Sequence, residues 1–214
     1  MHCSLLLALF FISCQKNSDQ PHKAILQSSP KKLEIPLLTN PENFGEQLSN
    51  AALQVIDSNV VYTPDYVTIP YPGGDVPPKT GVCTDVVIRA FRKCNIDLQK
   101  EVHVDLKAHF SSYPNLKKWG LRTADKNIDH RRVPNLEVFF ERKGKKLSNS
   151  THSADYQPGD IVTWMINGKL PHIGIVTHIK KDGVPMVVHN VGGGQIIEDF
   201  LFNYPMVGHY RYIP

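Results

Sequence analysis

Three segments of alternating apolar and polar residues, separated by turn signals, most restrict the fold of this chain. They span residues 160–166, 170–179 and 184–190. Asn167-Gly168 joins the first two, and Lys181-Asp182-Gly183 joins the second to the third. Period-two alternation on both sides of an Asn-Gly or Asp-Gly dipeptide is typical of β-hairpins. The pattern therefore predicts three consecutive antiparallel strands.

The N-terminal half of the chain carries helical patterns instead. Apolar residues recur every three or four positions in segments 44–55, 97–110 and 134–142, and the same spacing predicts a helix that begins near residue 83. A chain of 214 residues is long enough for one domain with a full core. Helices followed by antiparallel strands predict an α+β fold, in which N-terminal helices pack on a curled antiparallel sheet.

Cys83 lies where a segment rich in glycine and proline ends and a predicted helix begins. Thr80 is expected to cap that helix. The free backbone N–H groups and the positive end of the helix dipole favour a thiolate there, so a lowered pKa is expected for this cysteine. The alternative interpretation is that Cys83 is a small buried hydrophobic residue, since free cysteines are among the most buried residue types.

Two histidines lie in the predicted strands. His172 belongs to the second strand and His189 to the third, so antiparallel pairing brings them to neighbouring positions on one face. A cysteine nucleophile needs a base, and a further polar residue commonly orients that base. We therefore predict Cys83 as nucleophile, His172 as base and His189 as the orienting residue, with Asn190 or Gln195 as alternatives for the last role.

These residues carry a family resemblance. The order of features resembles the NlpC-type peptidases, a papain-like group that cuts peptides of the bacterial cell wall. The features are Tyr71 with Gly73-Gly74, then Cys83, then Gln157-Pro-Gly-Asp160, then His172-Ile-Gly-Ile175, then His189. More closely, four segments look like the bacterial YijF-type family. They are Tyr71-Pro-Gly-Gly-Asp75, Gly81-Val-Cys-Thr-Asp85, Asn127-Ile-Asp-His-Arg-Arg-Val-Pro-Asn135 and Leu170-Pro-His-Ile-Gly-Ile175.

The resemblance implies a papain-like fold and a cysteine hydrolase. It assigns Tyr71 to the substrate's amino end, beside the nucleophile. NlpC-type peptidases usually read Asp-Cys-Ser-Gly, whereas this chain has Asp85 two residues after the cysteine, so we count this carboxylate among the substrate-binding candidates. Arg131 and Arg132 complete that set, because guanidinium groups pair bidentately with peptide carboxylates. About 60 residues between the cysteine helix and the Gly-Asp turn are expected to build part of the pocket.

The function expected from these features is hydrolysis of an amide bond in peptidoglycan, either within a stem peptide or between muramic acid and L-alanine. Two alternatives remain: a non-catalytic peptidoglycan-binding lipoprotein, and an acyltransferase or transpeptidase with the same nucleophile. His172, His178 and His189 lack the spacing of a zinc site, so no metal or other cofactor is expected.

The N-terminus indicates export. Residues 1–13 resemble a lipoprotein signal peptide that precedes an acylated Cys14, although a conventional secretory signal cut elsewhere is the alternative. Residues 14–43 are expected to form a tether and residues 44–214 the catalytic domain. A bacterial envelope lipoprotein would meet peptidoglycan or its peptides and would touch the membrane only through its lipid.

Charge and cysteine spacing limit the remaining partners. The formal net charge is +4, and the basic residues are scattered without interleaved aromatic residues, so no nucleic-acid partner is expected. Cys83 and Cys94 lie on one predicted helix, too far apart for a disulfide, which needs Cα atoms within about 7 Å. We expect a monomer.

Overall fold

A computed structural model describes residues 35–214 of the protein. The α-helices in this part are α1 Phe44–Gln54, α2 Cys83–Lys93, α3 Leu98–Ala108, α4 Asn115–Trp119 and α5 Val133–Lys143. Short 3₁₀ turns lie at Phe110–Ser112, Asp129–Arg131 and Ser153–Asp155. The strands are β1 Val61–Tyr62, β2 Thr80–Gly81, β3 Gly144–Leu147, β4 Ile161–Ile166, β5 Leu170–Lys181, β6 Val184–His189, β7 Ile196–Glu198 and β8 Met206–Tyr212.

The strands form an antiparallel sheet of six strands in the order β3-β8-β4-β5-β6-β7, and β1 pairs with β2 in parallel. The predicted hairpins β4-β5 and β5-β6 are confirmed. Asn167 and Asp182 take positive φ angles of 50°, each followed by a glycine with positive φ, as tight hairpin turns require. Helices packed on an antiparallel sheet confirm the predicted α+β fold.

Two apolar clusters cover the two faces of this sheet. The larger cluster lies between the sheet and the helices, and Phe91 of α2 and Phe140 of α5 belong to it together with Ile173 and Ile175 of β5. The smaller cluster contains Trp164 of β4 and lies on the opposite face. Because successive residues of a strand point to opposite faces, the two clusters divide the side chains of β4 and β5 between them.

The helix starts follow local capping chemistry, with one exception to the prediction. Asn43 caps α1 and Asp97 caps α3, each through its side chain. The predicted cap of α2 by Thr80 is wrong: Thr80 belongs to β2, and its hydroxyl donates to the carbonyl of Pro77. The Asp85 carboxylate instead accepts a 2.7 Å hydrogen bond from the N–H of Val82. A carboxylate in the first turn satisfies a free N–H and complements the helix dipole.

Residues 35–43 pack on the folded body, although the sequence assigns them to a tether. The backbone of Leu38 exchanges hydrogen bonds of 2.9 and 2.8 Å with the side chain of Asn50. His178 contacts the carbonyl of Pro36 at 3.0 Å, and Ile35 packs against the larger cluster. The signal peptide, Cys14 and the rest of the tether lie outside the described residues. In the described part, no helix is long and apolar enough to cross a membrane.

Candidate active site

A buried ion pair supports the start of α2. The Arg131 guanidinium donates to the Asp85 carboxylate through Nε at 2.9 Å and Nη2 at 3.0 Å, and both side chains are at most 2 % exposed. Arg131 also donates to the carbonyl of Asp65, and its own carbonyl accepts from the Thr84 hydroxyl. A bidentate pair with further hydrogen bonds fixes two elements rigidly. The 3₁₀ turn Asp129–Arg131 is thus fastened to the first turn of α2.

This pairing corrects two predicted substrate contacts. Asp85 is buried, and its two carboxylate oxygens accept hydrogen bonds from Arg131 and from the N–H of Val82. Neither oxygen is therefore free for a substrate. Arg131 borders the cleft described below, but its guanidinium is already occupied by Asp85 and by backbone carbonyls. Both residues therefore position the helix that carries Cys83 rather than offer charge to a ligand.

Cys83 is the first residue of α2, and it is only 3 % exposed. Burial raises the pKa of its thiol to about 12; the N–H group of Ile173 opposes this rise, and the Asp85 carboxylate adds to it. The N–H groups of Thr84 and Cys83 itself also favour the thiolate. The predicted lowering of the pKa is therefore wrong, because loss of hydration outweighs the helix dipole. At neutral pH the residue is a thiol.

His172 and His189 form a buried pair. His172 Nε2 lies 2.9 Å from His189 Nδ1, and both side chains are fully buried. Burial and the neighbouring His189 lower the pKa of His172 to about 3, and burial lowers that of His189 to about 4. Within residues 35–214, His172 Nδ1 has no hydrogen-bond partner. The pair is therefore neutral near pH 7, and one ring nitrogen of His172 remains free.

The thiol approaches the strand backbone beside His172. Cys83 packs with Ile173 in the larger cluster, whereas the His172 ring lies 5.8 Å from the Trp164 ring and 5.4 Å from the Phe200 ring, on the side of the smaller cluster. Within residues 35–214, no hydrogen bond joins the Cys83 sulfur to the imidazole. The Cys83 thiol therefore lies next to Ile173, the residue that follows His172, and it makes no hydrogen bond with the His172 ring in this structure.

The two alternative orienting residues have other partners. The Asn190 side chain donates to the carbonyl of Gly81 at 3.4 Å and accepts from the N–H of Gly192. Gln195 donates to the carbonyl of Val55 and accepts from the guanidinium of Arg89. Of the three orienting candidates, His189 alone contacts the His172 ring in the described region. The geometry thus favours His189 for this role.

A cleft of about 290 Å³ opens beside Cys83. It is lined by Tyr62, Pro64, Val82, Cys83, Lys118, Trp119, Ile128, Arg131, Arg132, Val133, Pro134 and Pro171. Seven of these residues, from Lys118 to Pro134, come from the segment between the cysteine helix and the Gly-Asp turn. That segment therefore builds one wall of the cleft, as its length suggested.

Tyr62 lies beside Cys83, at the place that the family resemblance assigned to Tyr71. Burial raises the pKa of the Tyr62 hydroxyl, and the neighbouring Cys83 sulfur raises it further. The Tyr71 ring instead lies 5.1 Å from the His103 ring, and Tyr71 is not among the residues that line the cleft. The run Val60-Val61-Tyr62 before Pro64 indicates a short strand, but only its parallel pairing with β2 brings Tyr62 to Cys83.

Arg132 and Lys118 bring positive charge to the cleft. The Arg132 guanidinium lies 4.5 Å from the centre of the Trp119 ring and 3.0 Å from a carboxylate oxygen of Asp129. The ammonium group of Lys118 lies 5.7 Å from the same ring centre. Both cations stay in contact with the cleft, so an anionic group of a ligand can meet them there. Arg132 thus lines the cleft, and its binding of substrate stays a prediction.

The Gly-Asp turn has a structural role. Asp160 is fully buried and accepts two hydrogen bonds from Arg211, at 2.7 and 2.8 Å, and one contact from His209 at 2.8 Å. This network fastens the start of β4 to β8. Among the described residues, no group of three or more His, Cys, Asp or Glu side chains forms a candidate metal site.

Comparison with known proteins identifies related chains. Residues 49–212 match the family model described as "Domain of unknown function (DUF1287)". The "Uncharacterized protein YijF" of Escherichia coli (strain K12) is 52% identical over 171 residues, which cover 79% of this chain and 82% of that protein. The predicted relation to the YijF-type family is confirmed.

Two solved structures are also similar. NlpC1 from Trichomonas vaginalis aligns with 82% of this chain at 18% identity and a TM-score of 0.45, and NlpC2 from the same organism aligns with 81% at 16% identity and a TM-score of 0.43. The alignments cover 46% and 48% of those two chains, so this protein spans about half their length.

Proposed function

We propose that this protein, which belongs to the DUF1287 family, is a cysteine hydrolase that cleaves an amide bond in peptidoglycan. One observation carries the proposal: in the described part of the chain, the Nε2 atom of His172 contacts His189, whereas its Nδ1 atom is buried and has no partner. The next residue, Ile173, contacts the Cys83 thiol through its backbone N–H. Buried polar atoms are nearly always satisfied, and functional sites are a recurrent exception. The unpartnered Nδ1 atom can therefore serve as the base that accepts the thiol proton.

The proposed reaction begins from a neutral thiol and a neutral imidazole. The Cys83 sulfur bonds to the scissile carbonyl carbon while its proton passes to His172 Nδ1. That proton then leaves with the amine as the C–N bond breaks, and a thioester remains on the sulfur. Water adds to the thioester, gives one proton to Nδ1, and releases the carboxylic acid as the proton returns to the sulfur.

The surroundings support the charged stages of this sequence. The N–H groups of Cys83, Thr84 and Ile173 act on the sulfur in the resting state and provide donors close to the oxygen that becomes negative. Arg132 and Lys118 in the cleft suit a substrate with a carboxylate near the cleaved bond, as peptidoglycan stem peptides have. An N-terminal lipid on Cys14 would hold the enzyme at the envelope, where this substrate lies.

A second function is favoured by the state of the thiol. Cys83 has a pKa of about 12 and makes no hydrogen bond with His172, as expected of a protein that binds peptidoglycan without cleaving it. In that case Cys83 would be a packing residue of the larger cluster. Engagement of Cys83 by His172 on substrate binding is what distinguishes the enzyme from the binding protein.

Digestion of muropeptides of defined structure tests the proposal. Purified protein should convert at least one muropeptide into two products, which mass spectrometry identifies, and H₂¹⁸O should place one ¹⁸O in the new carboxyl group. Cys83→Ala should abolish turnover. Cys94→Ala should keep it, because Cys94 ends α2 away from the cleft.

Each contrary result has a defined meaning. Binding of muropeptides without any cleavage by the wild-type protein would favour the non-catalytic function. Products joined to an added amine, without ¹⁸O, would favour an acyltransferase. Full activity of a Cys83→Ala variant would contradict both covalent schemes. Thermal melting of that variant should remain close to the wild type, since alanine leaves only a small void in place of the thiol.

A further inference from the structure

Glu198 lies at the far end of the histidine pair. It is the last residue of β7, where it pairs with Val187, and His189 pairs with Ile196 two positions away. Diagonal neighbours on adjacent strands share a face and lie within reach of long side chains. Glu198 Oε2 is accordingly 2.9 Å from His189 Nε2. The described residues thus place His172, His189 and Glu198 in one row, in which the His189–Glu198 contact is close but does not have hydrogen-bond geometry.

The protonation of this row follows from counting hydrogen atoms. With pKa values of about 3 and 4, His172 and His189 are neutral near pH 7, and a neutral imidazole carries one N–H. The 2.9 Å contact between His172 Nε2 and His189 Nδ1 needs one hydrogen, which either ring can supply. The two possibilities differ in what they leave at the outer nitrogens.

In the first arrangement His172 donates through Nε2–H. His172 Nδ1 then keeps a lone pair, and His189 carries its hydrogen on Nε2, facing Glu198. In the second arrangement His189 donates through Nδ1–H. His172 Nδ1 then holds a proton, and a lone pair of His189 Nε2 faces the carboxylate oxygen at 2.9 Å. A carboxylate accepts hydrogen bonds and repels a second acceptor, so it disfavours the second arrangement.

We infer that Glu198 is a positioning residue that sets the tautomers of both histidines and so keeps His172 Nδ1 free of a proton. No residue of the described part contacts His172 Nδ1 as a hydrogen-bond partner, which agrees with the first arrangement, since a buried N–H would lack an acceptor. His189 Nε2 makes no well-aligned hydrogen bond at present, but the Glu198 side chain is 44% exposed and has room to rotate into line.

The residue after Glu198 provides a control for its role. The next residue, Asp199, lies 3.4 Å from the ammonium group of Lys181. Asp199 follows the end of β7, and its carboxylate contacts Lys181 instead of the histidine pair. Asp199 is therefore a matched control: it is a neighbouring exposed carboxylate that does not contact either ring. The catalytic meaning of the tautomers rests on the proposed function, whereas their existence does not.

Nuclear magnetic resonance tests the inference without any substrate. In protein labelled with ¹⁵N-histidine, two-bond correlations between ring nitrogens and carbon-bound protons distinguish Nδ1–H from Nε2–H. The wild type and Asp199→Asn should both show His172 and His189 as Nε2–H forms. Glu198→Ala should convert a substantial fraction of both rings to the Nδ1–H form, and Glu198→Gln, which keeps an acceptor oxygen, should convert less. Replacement of His189 by Asn assigns the signals.

Two results would overturn the inference: an Nδ1–H form of His172 in the wild type, or unchanged tautomers in Glu198→Ala. Where muropeptide cleavage is detected, kcat of Glu198→Ala should fall roughly tenfold with little change in KM, as is common when an orienting contact is lost. Asp199→Asn should keep its kcat. Absence of any cleavage would contradict the proposed function and leave the tautomer measurement decisive for Glu198.

Discussion

Near pH 7 the Cys83 thiol and the His172 imidazole are both neutral, since burial raises the pKa of the first to about 12 and lowers that of the second to about 3. A preformed thiolate–imidazolium pair would need both groups charged in a site without water. For the proposed hydrolase, burial therefore favours a reaction in which the proton moves only as the sulfur bonds to carbon. Burial also protects the resting thiol from unwanted modification.

The acid limit of activity should reflect His172. A base must be unprotonated, and His172 becomes protonated only as the pH falls through its folded pKa of about 3, far below the ordinary value of 6.5. We expect kcat/KM for muropeptide cleavage to stay nearly constant from pH 8 down to about pH 5. A pH–rate profile measures this, with circular dichroism at each pH as a control for unfolding. A half-maximal rate near pH 6.5 would show that the ring is hydrated in the working enzyme.

Single residues were predictable where chain order alone identifies them. The places of Cys83 at a helix start and of His172 and His189 in consecutive strands were predicted correctly, whereas their catalytic roles stay predictions. Asp85, Arg131 and Tyr71 were misjudged because a charged or aromatic residue in a sequence does not reveal its partner. Asp85 and Arg131 satisfy each other, although 46 residues separate them along the chain. Tyr62 was missed because its neighbour Cys83 is reached only through a tertiary contact.

Two elements meet at the Asp85–Arg131 pair. Asp85 belongs to α2 and Arg131 to the 3₁₀ turn Asp129–Arg131, which leads into α5 and the wall of the cleft. The pair therefore keeps the cysteine helix and the cleft wall in register. Buried pairs of this kind add little net stability compared with apolar residues of similar size, but losing one partner leaves the other charge unpaired and buried.

The Asp85→Asn variant should be destabilised by about 3–5 kcal/mol, because the Arg131 guanidinium loses its counter-charge at a site closed to water. Urea unfolding followed by fluorescence measures this change. Lys79→Ala is the matched control: it breaks the exposed pair between Lys79 and Asp57, where the expected loss is at most about 1 kcal/mol. Equal stability of Asp85→Asn and wild type would mean that water enters the site.

Helices and hairpins were predictable because their signals are local. The β4-β5 hairpin needs only alternation and the Asn167-Gly168 turn, and α3 needs only its periodicity and the Asp97 cap. The pairing of β1 with β2, and of β3 with β8, has no such signal. Strands of two and four residues are too short to show a pattern, and their partners lie far away in the sequence.

At the scale of the whole molecule, the folded body extends further towards the N-terminus than predicted. The tether was assigned up to residue 43 from its composition, which has few apolar residues. Composition does not show that the backbone of Leu38 finds both a donor and an acceptor in the Asn50 side chain. The segment 35–43 therefore belongs to the folded body and rests on α1 and β5.

The Asn50→Ala variant should release this segment. Losing two hydrogen bonds should cost about 1–3 kcal/mol of unfolding free energy. The Leu38 amide should exchange its hydrogen with solvent much faster than in the wild type, because its acceptor is gone. Hydrogen exchange measured by nuclear magnetic resonance reports on this amide directly. Asn149→Ala, which removes one exposed hydrogen bond to Met206, is the control and should leave Leu38 unchanged.

The last strand of the chain completes the middle of the sheet rather than its edge. β8 lies between β3 and β4, and it pairs Tyr212 with Gly144 and Tyr210 with Ile161. During synthesis, β3 and β4 therefore each keep an unpaired edge until residues 206–212 have left the ribosome. Open edges recruit strands from other chains. A copy shortened by a few C-terminal residues should thus accumulate as aggregates, even though it retains every residue of the proposed active site.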